Sequence, residues 1–309
     1  MPKLLSLKND FVFKKIFSQD QEILIDLINS VLRLPEKSGI VSVTVKNPEI
    51  LPDEIEKKFI ILDVRAVDQS GNEYDIEIQV RRYENYPKRT LYYLCKMYGD
   101  QLNKGENYAA LCPVIGIHFL DYEQFPDNPD FHYHFYLRDT RYPDLSLTDD
   151  ISLHIFELPG IERSMKHRDK MQEWLYFFNH AHEEGENTME ANYSNPMIKK
   201  AYDALQFLSA DEKARDLAER REKALKDEAM FLEEARNLGR KEGRKEGRKE
   251  GRKEGKKEGR KEGKEEGRKE KEKETAINLL KMKLLTEEQI AQASGMNITE
   301  IEKLKSELN

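Results

Sequence analysis

Cysteine is nearly absent: Cys95 and Cys112 are the only two in 309 residues. So few thiols exclude a disulfide framework, and their spacing fits no zinc motif. Their apolar neighbours read as those of reduced core residues in a cytoplasmic protein. Long apolar runs are missing as well. No stretch approaches the roughly eighteen residues of a membrane span, and Met1 to Leu7 lacks the apolar region of a secretory signal. Tryptophan occurs once, at Trp174, and half of the sixteen glycines stand in a single array between Gly239 and Gly267. With 38% hydrophobic residues the chain can bury one sizeable core, but 36% charged residues is too many for a compact globule throughout. Part of the chain must be extended or solvated.

What is present is organised around Lys57 to Arg82, KKFIILDVRAVDQSGNEYDIEIQVRR. Two runs rich in β-branched residues flank Asp68-Gln69-Ser70-Gly71, which has Asp at the first and Gly at the fourth position of a type I turn. That is the sequence of a three-residue hairpin loop with Gly71 at positive φ, pairing Asp68 with Asn72. The register then sets Asp63 opposite Glu77. Asp63, Asp75, Glu77 and Gln79 share one face, while Ile76, Ile78 and Val80 line the other. Directly opposed carboxylates, with Cβ atoms about 4.5–5.5 Å apart, destabilise a sheet unless something offsets the repulsion. A hard divalent cation such as Mg²⁺ does so, because it takes oxygen ligands from one or two carboxylates and leaves other positions to water and phosphate. Solvation of the acidic face, or pairing with Arg65, Arg81 or Arg82, accounts for the pattern equally well at this stage.

The flanking segments supply a scaffold. Phe13, Ile16, Phe17, Ile23, Leu24, Leu27, Ile28, Val31 and Leu32 recur at helical steps, and Asn9 or Asp10 can cap the start. Gly39 to Val45 reads as a strand ended by Asn47-Pro48. After the hairpin, Tyr86 to Asn103 is an amphipathic helix closed by Gly105. The near-continuous apolar run Cys112 to Leu120 suits a central strand covered on both faces. The order is helix, three strands, helix, strand.

Three stretches carry a resemblance: KNDFVFKKIF at Lys8–Phe17, LDVRAVDQSGNEYDIEIQV at Leu62–Val80, and KRTLYYLCKMYGDQLNKGENYAALCPVIGIHFLDY at Lys88–Tyr122. They resemble the PD-(D/E)XK nucleases, and within them the recombination-promoting nuclease (Rpn), or PD-(D/E)XK nuclease family transposase, group. The likeness is continuous over about residues 4–160 and looser to about 240. It implies an α/β (α+β) fold: a restriction-endonuclease-like core with a mixed sheet flanked by helices, followed by a helical C-terminal region. It also implies Asp63 and Glu77 as metal ligands, the Ile78 carbonyl as a further ligand, and Gln79 at the place where most of the superfamily has lysine. Gln can orient a water or phosphate oxygen but brings no charge. Asp10 could add an acidic oxygen. Arg89 and Gln101 are candidates for positioning phosphate, Arg89 because its guanidinium can grip phosphate bidentately. The implied reaction is Mg²⁺-assisted hydrolysis of a DNA phosphodiester, with DNA as partner. A non-catalytic nucleic-acid- or protein-binding module retaining the fold is the alternative.

Beyond Tyr122, Phe131–Leu137 and Ile151–Leu158 read as edge or hairpin strands. His132 and His134 point the same way, but spacing places no third ligand beside them. Asp169–His182 is a helix that packs its aromatics on the sheet, Glu183–Asn195 is a polar loop, and Pro196 opens another helix. From Asp211 to about Leu238 a narrow stripe of Ala214, Leu217, Ala218, Leu225, Ala229, Leu232 and Ala235 suits docking on the core, with some pairing to a second copy. The domains expected are therefore a nuclease core at 1–160, a helical extension at 161–238, a linker at 239–274 and a small module at 275–309.

That linker is a tetrapeptide array of the type GRKE. Between Arg240 and Glu274 it holds 17 basic and 11 acidic residues, a net of +6 within a chain of net −7, so the rest carries −13. As a helix it sets like charges against like at every fourth position, and each glycine costs about 1 kcal/mol. Helix there is expected to be marginal. A solvated spacer is favoured over a phosphate-binding arm, because interleaved Glu dilutes the charge and no aromatics are present to stack on bases. The final segment reads as a helix at Ala276–Leu285, a capping box at Thr286–Gln289, a stop at Gly295 and a further helix capped by Asn297. Its last helix carries no Arg and suits base reading poorly, so protein packing is expected.

Overall fold

The computed structural model describes residues 3–47, 63–164 and 168–308. The opening of the expected hairpin strand, residues 57–62, lies outside them. Two compact units divide the chain, Met1–Met230 and Phe231–Asn309.

The first unit begins with helix α1 (Asp10–Gln19), whose N-terminal amides at Phe11 and Val12 donate to the side chain of Asn9. The single N-terminal helix expected is in fact two. Asp20 takes an extended conformation, ends α1, and caps α2 (Gln21–Val31) by accepting from the amides of Glu22 and Ile23. An Asx residue prefers such a cap to a helix interior, and the apolar periodicity hides the break.

A six-stranded sheet follows, formed by β1 (Val43–Val45), β2 (Val64–Asp68), β3 (Glu73–Gln79), β4 (Val114–Leu120), β5 (His132–Arg138) and β6 (Ser146–Glu157) in the spatial order β1-β2-β3-β4-β6-β5. β3–β4 and β4–β6 are parallel, and the outer pairs are antiparallel. The hairpin register is the one its turn dictates. Val64 faces Ile76 and Arg65 faces Asp75, the Asp68 amide donates to Asn72 O at 3.0 Å, and Gly71 has φ +87°. The Cys112–Leu120 run becomes the central strand. β1 is shorter than expected, and β6 lies inside the sheet between β4 and β5.

The two sheet faces are covered differently. Tyr74, Ile76, Ile78, Ile117, Phe119 and Phe156 pack with α1, α2 and α4 (Lys170–His180), where Phe119 meets Phe178 at 4.8 Å between ring centroids. The opposite face is covered by α3 (Tyr86–Asp100) through Tyr86, Leu94 and Met97. Cys95, expected in the core, is exposed on this helix, and Cys112 is half-buried. The polar segment before Pro196 contains a short helix, α5 (Glu186–Asn192), and α6 (Pro196–Ala210) then packs into the main core. The helices after residue 160 thus share the core of the strands. Trp174 Nε1 and Asn195 Nδ2 both donate to the Asp26 carboxylate, at 2.8 and 2.6 Å.

Helix α7 runs from Glu212 to Met282. Ala214 and Ala218 of its apolar stripe dock on the first unit as expected, and Asn9 Nδ2 donates to the Ala218 carbonyl at 3.0 Å. Ala229, Leu232 and Ala235 remain exposed, as does every residue from 231 to 271. The array is therefore helical without packing. Both of its flanks are helical, so no nucleation is needed and each added residue gains a hydrogen bond. Side-chain support is slight: Glu265–Lys269 and Arg268–Glu272 approach at 3.7 Å.

In the second unit, Ala276 on α7 packs with Ile290 and Ala291 of α8 (Glu287–Ser294) and with Ile301 and Leu304 of α9 (Ile298–Leu308). The Thr286–Gln289 capping box is formed and Gly295 closes α8 at φ +78°. The helix expected at Ala276–Leu285 is the end of α7.

Candidate active site

The polar face of the β2–β3 hairpin is on the side of the sheet that α3 covers through β4 and β6. Alternation puts Asp75, Glu77 and Gln79 on this face because Tyr74, Ile76 and Ile78 are committed to the core. All three polar side chains are buried. Asp63 precedes β2 by one residue, where the register sets it opposite Glu77, and is half-buried.

Each carboxylate has its own neighbours. Arg65 Nε donates to Asp63 Oδ2 at 2.8 Å, and Asn47 Nδ2 donates to Asp63 Oδ1 at 3.2 Å. Asn47 is itself fixed, because its Oδ1 accepts from the Arg65 amide at 2.8 Å. Arg89 on α3 packs over the rings of Tyr83 and Tyr86 and donates to Glu77 Oε1 at 3.4 Å. Tyr83 is anchored in turn by Glu228 of α7, at 2.5 Å. His118, the residue paired with Glu77 across the parallel β3–β4 ladder, is fully buried, with Nε2 3.7 Å from Asp75 Oδ2 and Nδ1 2.7 Å from the Tyr86 hydroxyl.

The electrostatics record a surplus of buried negative charge. Burial pushes the Glu77 carboxyl up to about 7. Asp75 and Asp63 add to that rise, and His118 and Arg89 oppose it. Asp63 is likewise raised, first by burial and then by Asp75. Burial acts to raise Asp75 too, but His118 and Arg65 outweigh it and hold that carboxyl below its ordinary value. Burial acts to lower His118, and Asp75 and Glu77 reverse the sign, leaving its imidazole raised. Among the described residues Asp75 Oδ1 and His118 Nε2 have no hydrogen-bond partner. Hard carboxylate oxygens held close together at this cost fit a divalent cation of the Mg²⁺ type.

The expected site residues divide on inspection. Asp63, Glu77, Gln79 and Arg89 are brought to one face. Gln79 O accepts from the Asp121 amide and the Glu73 amide donates to Pro113 O, so odd-numbered residues of β3 bond towards β4 and Ile78 turns its carbonyl to the side of β2 and Asp63. Asp10 and Gln101 do not join. Both oxygens of Asp10 are engaged by Arg221 of α7, with Nε at 2.9 and 3.0 Å and Nη2 at 2.6 Å, in a buried pair. Gln101 clamps the chain before β4, donating to Cys112 O at 3.0 Å and accepting from Cys112 N at 2.8 Å. Sequence reasoning missed His118 and Asn47. His118 had a signal, being the one polar side chain in the apolar run Val114–Leu120; Asn47 had none beyond its place at a strand end.

A family model described as PD-(D/E)XK nuclease family transposase matches residues 7–235, which take in the whole sheet, the site and the helices that cover them. No curated protein and no solved structure matches the chain.

Proposed function

We propose, since the chain belongs to the PD-(D/E)XK nuclease family transposases, that it is a Mg²⁺-dependent DNA endonuclease. The observation that carries this reading is Glu77: a buried carboxyl in register with Asp63, lifted to about 7 although Arg89 at 3.4 Å and the buried His118 act to lower it. A protein keeps such a group when its charge is used.

In this reading Asp63 and Glu77, with the Ile78 carbonyl, hold the cation, and Asn47 and Arg65 fix the Asp63 carboxylate for that task. The chemistry a divalent ion supplies when bound is acidification of water and neutralisation of charge on the leaving oxygen. Gln79 orients the attacking water or a phosphate oxygen through its amide. Arg89, pre-aimed by Tyr83 and Tyr86, takes a phosphate oxygen in exchange for its long contact with Glu77. Strand breaks made this way provoke recombination by their repair.

The test is cleavage of supercoiled plasmid by the purified full chain with Mg²⁺, with EDTA, and as Asp63→Ala and Glu77→Ala. Conversion to nicked or linear DNA only by the wild type with Mg²⁺ supports the reading. Equal cleavage by folded Asp63→Ala protein rejects it, and DNA binding without cleavage under any divalent ion turns the chain into a binding module of the same fold.

A further inference from the structure

Two tyrosines of α3 stand in the open beside the active site. Of the helix's aromatic side chains, Tyr86 is buried and Tyr98 donates its hydroxyl to Asp150 Oδ2 at 2.6 Å, but Tyr92 and Tyr93 are 62% and 42% exposed. Their rings meet edge to face, with centroids 5.5 Å apart at an angle of 71°. Packing of α3 on the sheet is carried by Tyr86, Leu94 and Met97, so the fold gains little from either ring. Large rings left in water beside a site mark a surface that meets a partner.

Three interactions show how α3 passes the hairpin. Arg89, in its first turn, reaches Glu77 Oε1 at 3.4 Å. Tyr93 is one turn further on. Burial acts to lower Arg65, but Asp63, Asp75 and then Tyr93 raise it, which places the Tyr93 hydroxyl in range of that guanidinium. At the end of the helix Asp100 acts in the same way on Glu73, a residue raised first by burial. The helix therefore runs antiparallel to β3, from the Glu77 end to the Glu73 end, with Arg89 and Tyr93 on one side. Residues four apart share a helix face and lie about 6 Å apart along the axis. Tyr93 thus overlooks Arg65, which holds the Asp63 carboxylate at 2.8 Å.

The charge around the rings is that of a nucleic-acid surface. Residues 81–96 hold five basic side chains, Arg81, Arg82, Lys88, Arg89 and Lys96, against the single acid Glu84, within a chain of net −7. Turning about 100° per residue, α3 gathers Tyr92, Lys96, Arg89 and Tyr93 into one sector, with both cations between the two rings, and leaves the exposed Leu91 outside it. Phosphates take such cations, and an unpaired base offers its π-face to a ring. A base inside a duplex has no free face, so these rings serve only one that has left its stack. The lack of aliphatic surface in the sector disfavours a protein partner there.

We propose that Tyr92 and Tyr93 form a stacking platform for unpaired bases beside the active site, so that the substrate is single-stranded or locally opened DNA. This rests on the endonuclease reading and names its substrate class. Arg89 takes a phosphate at the site and Tyr93, about 6 Å along the helix, stacks the base attached to it, with the Tyr92 ring braced edge-on behind.

The test is fluorescence anisotropy of the full chain in EDTA, which stops metal-dependent cleavage, with one labelled oligonucleotide as single strand and as duplex. Wild type is expected to hold the single strand more tightly. Tyr93→Ala should weaken that binding about five- to hundredfold, and Tyr93→Phe, which keeps the ring, should restore it. Phe207→Ala removes an exposed ring from α6, which packs on the opposite face of the sheet, and should bind as wild type does. A wild type that holds the single strand no more tightly than the duplex overturns the proposal. So does Tyr93→Ala protein with undiminished single-strand affinity, which would assign the rings to a protein partner. Plasmid cleavage by the wild type with Mg²⁺ upholds the endonuclease in either case, so the two readings fail separately. Because Tyr93 is exposed, its truncation leaves the fold intact and the result readable.

Discussion

Glu77 destabilises the protein that carries it, and the size of that effect can be worked out. Its carboxyl rises from 4.5 to about 7 on folding, which corresponds to about 3 kcal/mol. Between those two values the folded protein holds a proton that the unfolded chain has released. Stability therefore falls as the pH rises through this window, and the whole cost is present above it. Glu77→Gln keeps the shape and removes the charge. In EDTA at about pH 8 it should be more stable than wild type by roughly 2–3 kcal/mol, and near pH 4.5 the two should converge. For a unit of this size that corresponds to roughly 5–10 °C in melting temperature. Added Mg²⁺ should narrow the gap by stabilising only the wild type. Thermal unfolding followed by circular dichroism across that pH range is the assay. A Glu77→Gln protein no more stable than wild type at the alkaline end in EDTA would refute the reasoning.

Other consequences are simpler. Arg221→Ala strands the Asp10 carboxylate in the core and should cost about 3–5 kcal/mol in urea unfolding, whereas Asp10→Leu combined with Arg221→Met should recover most of it. Gly71→Ala must adopt φ +87° and bring a Cβ within 2.9 Å of Cys112 Sγ, so a loss of about 1–3 kcal/mol is expected in the same assay. Amide protons of residues 240–271 should exchange with solvent far faster than those of α1, since the array helix buries nothing; equal protection would show that the array is packed in solution.

The hairpin was legible because local rules suffice for it. A Gly at the turn fixes the loop, the loop fixes the register, and period-two alternation then assigns Asp63, Glu77 and Gln79 to one face. Capping boxes at Asp169 and Thr286 were marked equally locally, the second read in advance. What the chain did not disclose is held by distant partners. His118 reaches Glu77 only through a parallel pairing closed by α3, and Arg221 lies 211 residues from Asp10. Asp10 and Gln101 looked functional by type, yet one is neutralised by that arginine and the other spans a loop. His154 pairs with His132 and stacks on His134 through a strand whose position inside the sheet its polar beginning concealed. Asp20 shows the converse: an apolar periodicity that ran on through a helix break.

The central claim is that Asp63 and Glu77 together hold a hard divalent cation. Electron paramagnetic resonance of Mn²⁺ titrated into the full chain tests it most directly, because free and bound ion are counted separately. The account predicts binding by the wild type and its loss in both Asp63→Asn and Glu77→Gln. Wild-type protein that binds no Mn²⁺, or carboxamide variants that bind it undiminished, would contradict it.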